Sequence, residues 1–208
     1  MDAAEHAITF LIQMLIIVDP VVAMPVLIAI TPRNTPEERR QIARRGCSAA
    51  FVLSTFFLLT GPLFLAYFGI GTPAVLVTGG VLLFLIALEM LYGRMTGTGT
   101  TPREERLAGE RPDVSIFPLA FPLLAGPGAV ATCLIFAAQT PALTQRLVLL
   151  AASLAVFVLT YLLLARAELL MKLIGSLGVS IATRIMGLLL ALLAVQYVIN
   201  GVAVIAGG

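Results

Sequence analysis

The chain has 208 residues, of which 60% are hydrophobic and only 12% charged, with a mean hydropathy of +1.05, whereas soluble domains average about a quarter charged. That composition excludes a soluble globular protein and, at about 20 residues per crossing, leaves room for about six membrane helices and no sizeable soluble domain. The net charge of +2 is spread over loops and forms no basic face on a folded domain, so nucleic acid is not an expected partner.

Span one is expected from Ile8 to Ile30, long enough at about 1.5 Å per residue to cross a hydrocarbon core of roughly 30 Å. Asp19-Pro20-Val21-Val22-Ala23-Met24-Pro25 lies in its middle. Proline has no amide hydrogen and clashes with the carbonyl four residues back, so Pro20 and Pro25 free the carbonyls of Ile16 and Val21, and Asp19 is pushed out of helical geometry. The expectation is a broken helix with a carboxylate near the bilayer centre. No cleavable leader is expected, because Met1 to His6 carry no basic segment ahead of the long apolar run.

Thr35-Pro36-Glu37-Glu38 predicts a capped helix start, and Arg39, Arg40, Arg44 and Arg45 behind it are expected to snorkel at the headgroups. Span two follows from Gly46 to Phe68. Span three covers Ala74 to Tyr92, with Thr78-Gly79-Gly80 allowing close helix approach and Glu89 near its end. Residues 94–113 read as a cytoplasmic linker between a first repeat, 1–93, and a second, 114–208.

Span four, Val114 to Ala138, holds Pro118, Pro122, Gly126, Pro127 and Gly128 and cannot be one regular helix. Span five is expected from Leu147 to Leu170 and span six from Arg184 to Ile205, with Gln196 and Asn200 on one face and Arg166 with Glu168 as a solvated boundary pair. Apart from Arg146, the basic residues follow spans one, three and five, which by the positive-inside rule puts both termini outside. His6 is the only histidine, and Cys47 and Cys133 sit at different depths. No metal site and no disulfide are therefore expected.

Pro20 and Pro25 match Pro122 and Pro127 at the same spacing, with Phe121 where Asp19 stands, and Gly71, Gly80 and Glu89 match Gly178, Gly187 and Gln196 at one offset. The expected fold is all-α: six transmembrane helices as two inverted three-helix repeats, broken in the first and fourth. Each proline can open a second half-helix, with free amides near Val21 to Ala23 and near Gly128 to Val130. Such amides favour an anion, whereas Asp19 and the freed carbonyls favour a cation. A small zwitterion satisfies both. The binding candidates are Asp19, Pro20, Val21, Val22, Pro25, Pro122, Gly126, Pro127, Gly128 and Ala129, with Asp19, Glu89, Gln196 and Asn200 as polar or coupling candidates. A structural alternative for Asp19 is to cap the second half-helix with its side chain. The chain carries no nucleophile-base or paired-acid motif, so no enzyme and no cofactor are expected.

These proline-glycine strings, with Phe68-Gly69-Ile70, Gly79-Gly80-Val81-Leu82-Leu83-Phe84 and Arg184-Ile185-Met186-Gly187-Leu188, resemble the MarC family of inner-membrane proteins over essentially the whole chain. The resemblance implies a six-span transporter of small neutral amino acids such as glycine or alanine, driven by a proton or sodium gradient. An ion or solute channel, or a membrane scaffold without transport, are the alternatives. Homo-oligomerisation is left open by the sequence.

Overall fold

The computed structural model describes residues 3–93, 114–140 and 142–206; the linker expected at 94–113 lies outside the described residues. Among these residues the chain is all helical: α1 (Ala3–Val18), α2 (Pro20–Ile30), α3 (Pro36–Tyr67), α4 (Thr72–Tyr92), α5 (Ser115–Leu124), α6 (Pro127–Gln139), α7 (Leu143–Leu164) and α8 (Ala167–Ala206). By length and composition α3, α4, α7, α8 and the α1–α2 run of residues 5–30 can each cross a membrane, and the bent pair α5–α6 has the length and composition of a sixth, as a broken span or a re-entrant loop.

Local chemistry explains most of the boundaries. Thr35 and Glu38 form the expected reciprocal cap: the Glu38 amide donates to Thr35 Oγ1 at 3.3 Å, and the Thr35 amide donates to Glu38 Oε2 at 2.9 Å. Pro36 takes the first helical position, where its missing amide costs nothing. In α5 the amides of Leu119 and Ala125 reach back five residues, to Val114 and Ala120, and Phe117 and Phe121 have extended backbone angles. The peptide bonds before Pro118 and Pro122 are cis. α5 is thus a coil of wide turns, as its prolines require, and it meets α6 at 56°.

Two boundaries differ from expectation. The fifth span ends at Leu164, short of Leu170, and the last helix begins at Ala167, far ahead of Arg184. No proline marks that corner, and the chain turns at Ala165 and Arg166 alone. α8 then bends at Gly175, whose φ of 68° is open to glycine.

α1, α2, α5 and α6 form the buried centre, where Phe10, Met14, Leu27, Leu124, Ile135 and Phe136 are almost fully enclosed. Lipid tails are as apolar as leucine, so association here rests on close packing rather than on burial from water. The tightest case is α4 against α8. A Cβ on Gly80 would lie 2.7 Å from the Ala194 carbonyl oxygen, and one on Gly187 would lie 3.1 Å from that of Ala87. These contacts are reciprocal, because Ala87 stands to Gly80 in sequence as Ala194 stands to Gly187. Gly79 faces Ile135 of α6, so this glycine pair works within the chain.

Candidate functional site

At the first break Asp19 adopts left-handed backbone angles, φ 38° and ψ 70°. Its Oδ1 accepts the Val22 amide at 3.2 Å, and its carbonyl accepts the Ala23 amide at 3.0 Å. Pro20 opens α2 as expected, but the amides expected to be free at Val22 and Ala23 are already taken. The capping role of Asp19 is therefore present in the structure. Pro25 lies inside α2, which continues through it to Ile30.

At the second break Pro127 opens α6, and Gly126 before it supplies no side-chain cap. A Cβ on Gly126 would fall far inside van der Waals contact distance of the Pro122 carbonyl oxygen, so only glycine fits. Pro122, Gly126, Pro127, Gly128 and Ala129 line a cavity of about 90 Å³ together with Ile17 and Glu89. Glu89 is the acid of this cavity. Asp19 does not line it, nor do Pro20, Val21, Val22 and Pro25, which stay with the first break. Gln196 and Asn200 do share a face, with Gln196 Nε2 donating to Asn200 Oδ1 at 2.7 Å, but that face is exposed on α8 and neither residue lines the cavity. Gly128 packs on Ile17 and Ile86.

Several polar groups at the centre escape a reading of the sequence alone. α1 and α6 run antiparallel, and their facing residues pair in order. His6 Nε2 lies 2.9 Å from Thr140 Oγ1, the rings of Phe10 and Phe136 meet edge-on at 5.0 Å, Gln13 Nε2 donates to Thr132 Oγ1 at 3.4 Å, and Ile17 reaches Gly128. Tyr197 of α8 donates its hydroxyl to Gln13 Oε1, and Thr132 Oγ1 donates to the Gly128 carbonyl at 3.0 Å. Gln13 and Thr132 are fully buried. A polar amide six residues before Asp19 is the only sequence signal for this network.

The half-helices after the breaks are both anchored by arginine. Arg39 Nε donates to Thr31 Oγ1 at 2.7 Å, and a second guanidinium nitrogen donates to the Thr31 carbonyl at 2.8 Å. Its third nitrogen pairs with Glu168 at the start of α8. At the other end of the bundle Arg146 Nε donates to the Thr140 carbonyl at 2.8 Å. Two expectations are corrected here. Arg39 is buried rather than snorkelling, because the carbonyl at the end of α2 needs a donor. Glu168 pairs with Arg39 and not with Arg166.

The family model for MarC family integral membrane proteins matches residues 4–206. The chain belongs to the MarC family. It is an integral membrane protein. Among its relatives, a UPF0056 membrane protein of Aquifex aeolicus is 34% identical over 91% of this chain and 89% of its own length. One of Methanocaldococcus jannaschii is 36% identical over 89% of this chain and 90% of its own length. The UPF0056 inner membrane protein YhgN of Escherichia coli K12 is 32% identical over 95% of this chain and 96% of its own length. No solved structure matches the chain.

Proposed function

We propose that this MarC protein is a secondary transporter of small neutral amino acids, of the size of glycine or alanine, across the cytoplasmic membrane. The observation that carries the proposal is the cavity where the uncapped first turn of α6 and the Glu89 carboxylate meet. A helix N-terminus favours an anionic group and a carboxylate favours a cationic one, so an amino-acid zwitterion is matched at both ends. About 90 Å³ is well below a drug-sized pocket. The size argues for the smallest amino acids.

In this proposal Glu89 binds the solute ammonium, Gly128 and Ala129 offer main-chain amides to its carboxylate, and Asp19 carries the coupling proton or sodium ion. Ionisable groups deep in a membrane are costly and are kept for such roles. Because its cap on α2 depends on an acceptor oxygen, Asp19 links ion occupancy to the geometry of the first break. The α1–α6 pairing from His6 to Gly128 is the barrier that parts on one side of the cycle, with the two halves rocking as inverted repeats. The reciprocal packing at Gly80 and Gly187 supports that two-fold arrangement. The test is uptake of labelled glycine or alanine into proteoliposomes under an imposed proton or sodium gradient. Saturable flux is expected, lost in Glu89→Gln and uncoupled in Asp19→Asn; flux that never saturates and follows membrane potential alone would mean a channel.

A further inference from the structure

At the end of the bundle that holds the Arg39–Glu168 pair, a cavity of about 330 Å³ opens between the start of α3 and the corner from α7 to α8. Arg40, Arg166 and Lys172 line it, all three exposed, and the neutralised Arg39–Glu168 pair forms its inner wall. Arg166 makes one long contact, 3.5 Å, to the Leu162 carbonyl. Arg40 and Lys172 have no hydrogen bond or ion pair to other described residues. Three cations thus face one small space, and none of them pairs with an acid among the described residues.

Depth identifies what balances them. Gly201 of α8 sits against the Pro73 carbonyl at the opposite end of the bundle. From there back to the Gly175 bend is about 39 Å of helix, already more than the roughly 30 Å hydrocarbon core. The arm before the bend, residues 167–174, therefore lies at headgroup level. Its Leu170 and Met171 pack on the protein core, while Leu169 and Leu173, on another face, are 59% and 75% exposed and Lys172 stands beside them. An arm with a lysine beside exposed leucines is the pattern of a helix lying in the membrane interface. Leu169 also lines the cavity, so the cationic space and the apolar stripe are continuous.

We propose that this cavity is a binding site for an anionic phospholipid. Arg40, Arg166 and Lys172 hold the phosphodiester headgroup, and an acyl chain lies along Leu169 and Leu173. Basic cavities between membrane helices bind acidic headgroups in this way, and the cationic side chains supply most of the affinity. The site is separate from the cavity at Glu89, and its occupancy does not depend on what that cavity transports.

The experiment titrates the full chain in neutral detergent with phosphatidylglycerol and, separately, with phosphatidylcholine, reading bound lipid by native mass spectrometry. Phosphatidylglycerol is expected to bind at least about tenfold more tightly, given the charge difference. Lys172→Gln should lower its affinity roughly fivefold, and Arg40→Gln with Arg166→Gln and Lys172→Gln about a hundredfold. All three positions are exposed, so the fold is not at stake. A matched variant, Arg33→Gln with Arg44→Gln and Arg184→Gln, removes as many exposed charges elsewhere and should change little. Equal losses in both triple variants, or equal binding of the two lipids, would overturn the proposal. So would displacement of the lipid by inorganic phosphate at comparable concentration, which would mark a site for the free anion instead.

Discussion

The two interrupted spans restart in the same way, each on a proline at the first helical position, yet they end as different structures. At Asp19 the interruption is one residue long, the acid caps the following turn, and α1 and α2 continue as a single run of residues 5–30. At Gly126 there is no side chain to cap anything, the chain turns through 56°, and a cavity forms beside Glu89. Phe121, which stands where Asp19 stands in the first half, is 46% exposed and contributes nothing polar. The breaks also fall at prolines that the repeat does not match, since Pro20 corresponds to Pro122 and Pro127 to Pro25, and only the first is preceded by a residue whose side chain caps the helix that follows. A helix end with its own acceptor is structural first, and a helix end without one is where a ligand has something to complete.

The largest effect is expected from closing that gap. Gly126→Ala places a methyl group on the Pro122 carbonyl, which is main chain and cannot rotate away. A loss of about 3 kcal/mol or more is expected, read as a fall in the unfolding temperature of the purified protein and in its yield. A variant with wild-type stability would mean that the second break is held open by something other than the glycine. Next come the anchors of the two half-helices. Arg39→Met removes a buried cation with three partners, and about 2 to 3 kcal/mol is expected, reduced from the cost of a fully buried pair because Glu168 is half exposed. Arg146→Met removes one hydrogen bond from a half-buried side chain and should cost about 1 kcal/mol. If the two losses proved equal, the halves would be anchored alike and the difference between them would lie at the breaks alone.

What the sequence reveals of this arrangement follows the range of each interaction. Thr35 and Glu38 act over three residues, and Pro20 and Pro127 act on their own turn, so these elements could be placed before any coordinates. The pairing of Gln13 with Thr132 and Tyr197 spans more than half the chain and requires the register of α1 on α6, which hydropathy does not carry. Arg39 illustrates the same limit, since a run of arginines beside a membrane span reads as headgroup contacts until the open carbonyl of Thr31 is seen next to it. Gln196 and Asn200 are instructive in the opposite direction. Their spacing does put them on one face and they do bond to each other, but spacing says nothing about which way that face points.

Asp19 is where stability and function can be taken apart. Asp19→Ala loses the cap and keeps a left-handed residue whose Cβ strain is no longer offset by a side-chain hydrogen bond, at an expected cost of about 1 to 2 kcal/mol. Asp19→Gly loses the same cap but adopts φ 38° freely, so its stability should fall by only a few tenths. If the acid also carries the coupling ion, both variants should lose gradient-driven uptake equally despite their different stabilities. Uptake that tracked stability instead would reduce Asp19 to a cap.

The smallest effect is expected at the pairing of α1 with α6. Gln13→Leu exchanges two interhelical hydrogen bonds for apolar contact, and such bonds average about 0.6 kcal/mol each within membranes. The Tyr197 hydroxyl loses its acceptor and Thr132 Oγ1 loses a donor, while the Thr132 hydroxyl keeps its bond to the Gly128 carbonyl. A drop near 1 kcal/mol in unfolding free energy is therefore expected. The informative measurement is the uptake rate, because a barrier that must part on every cycle is opposed by the bonds that hold it shut. Loosening it should raise exchange of labelled solute while stability falls. A fall in both would place Gln13 among the groups that hold the two breaks in register rather than in the barrier between them.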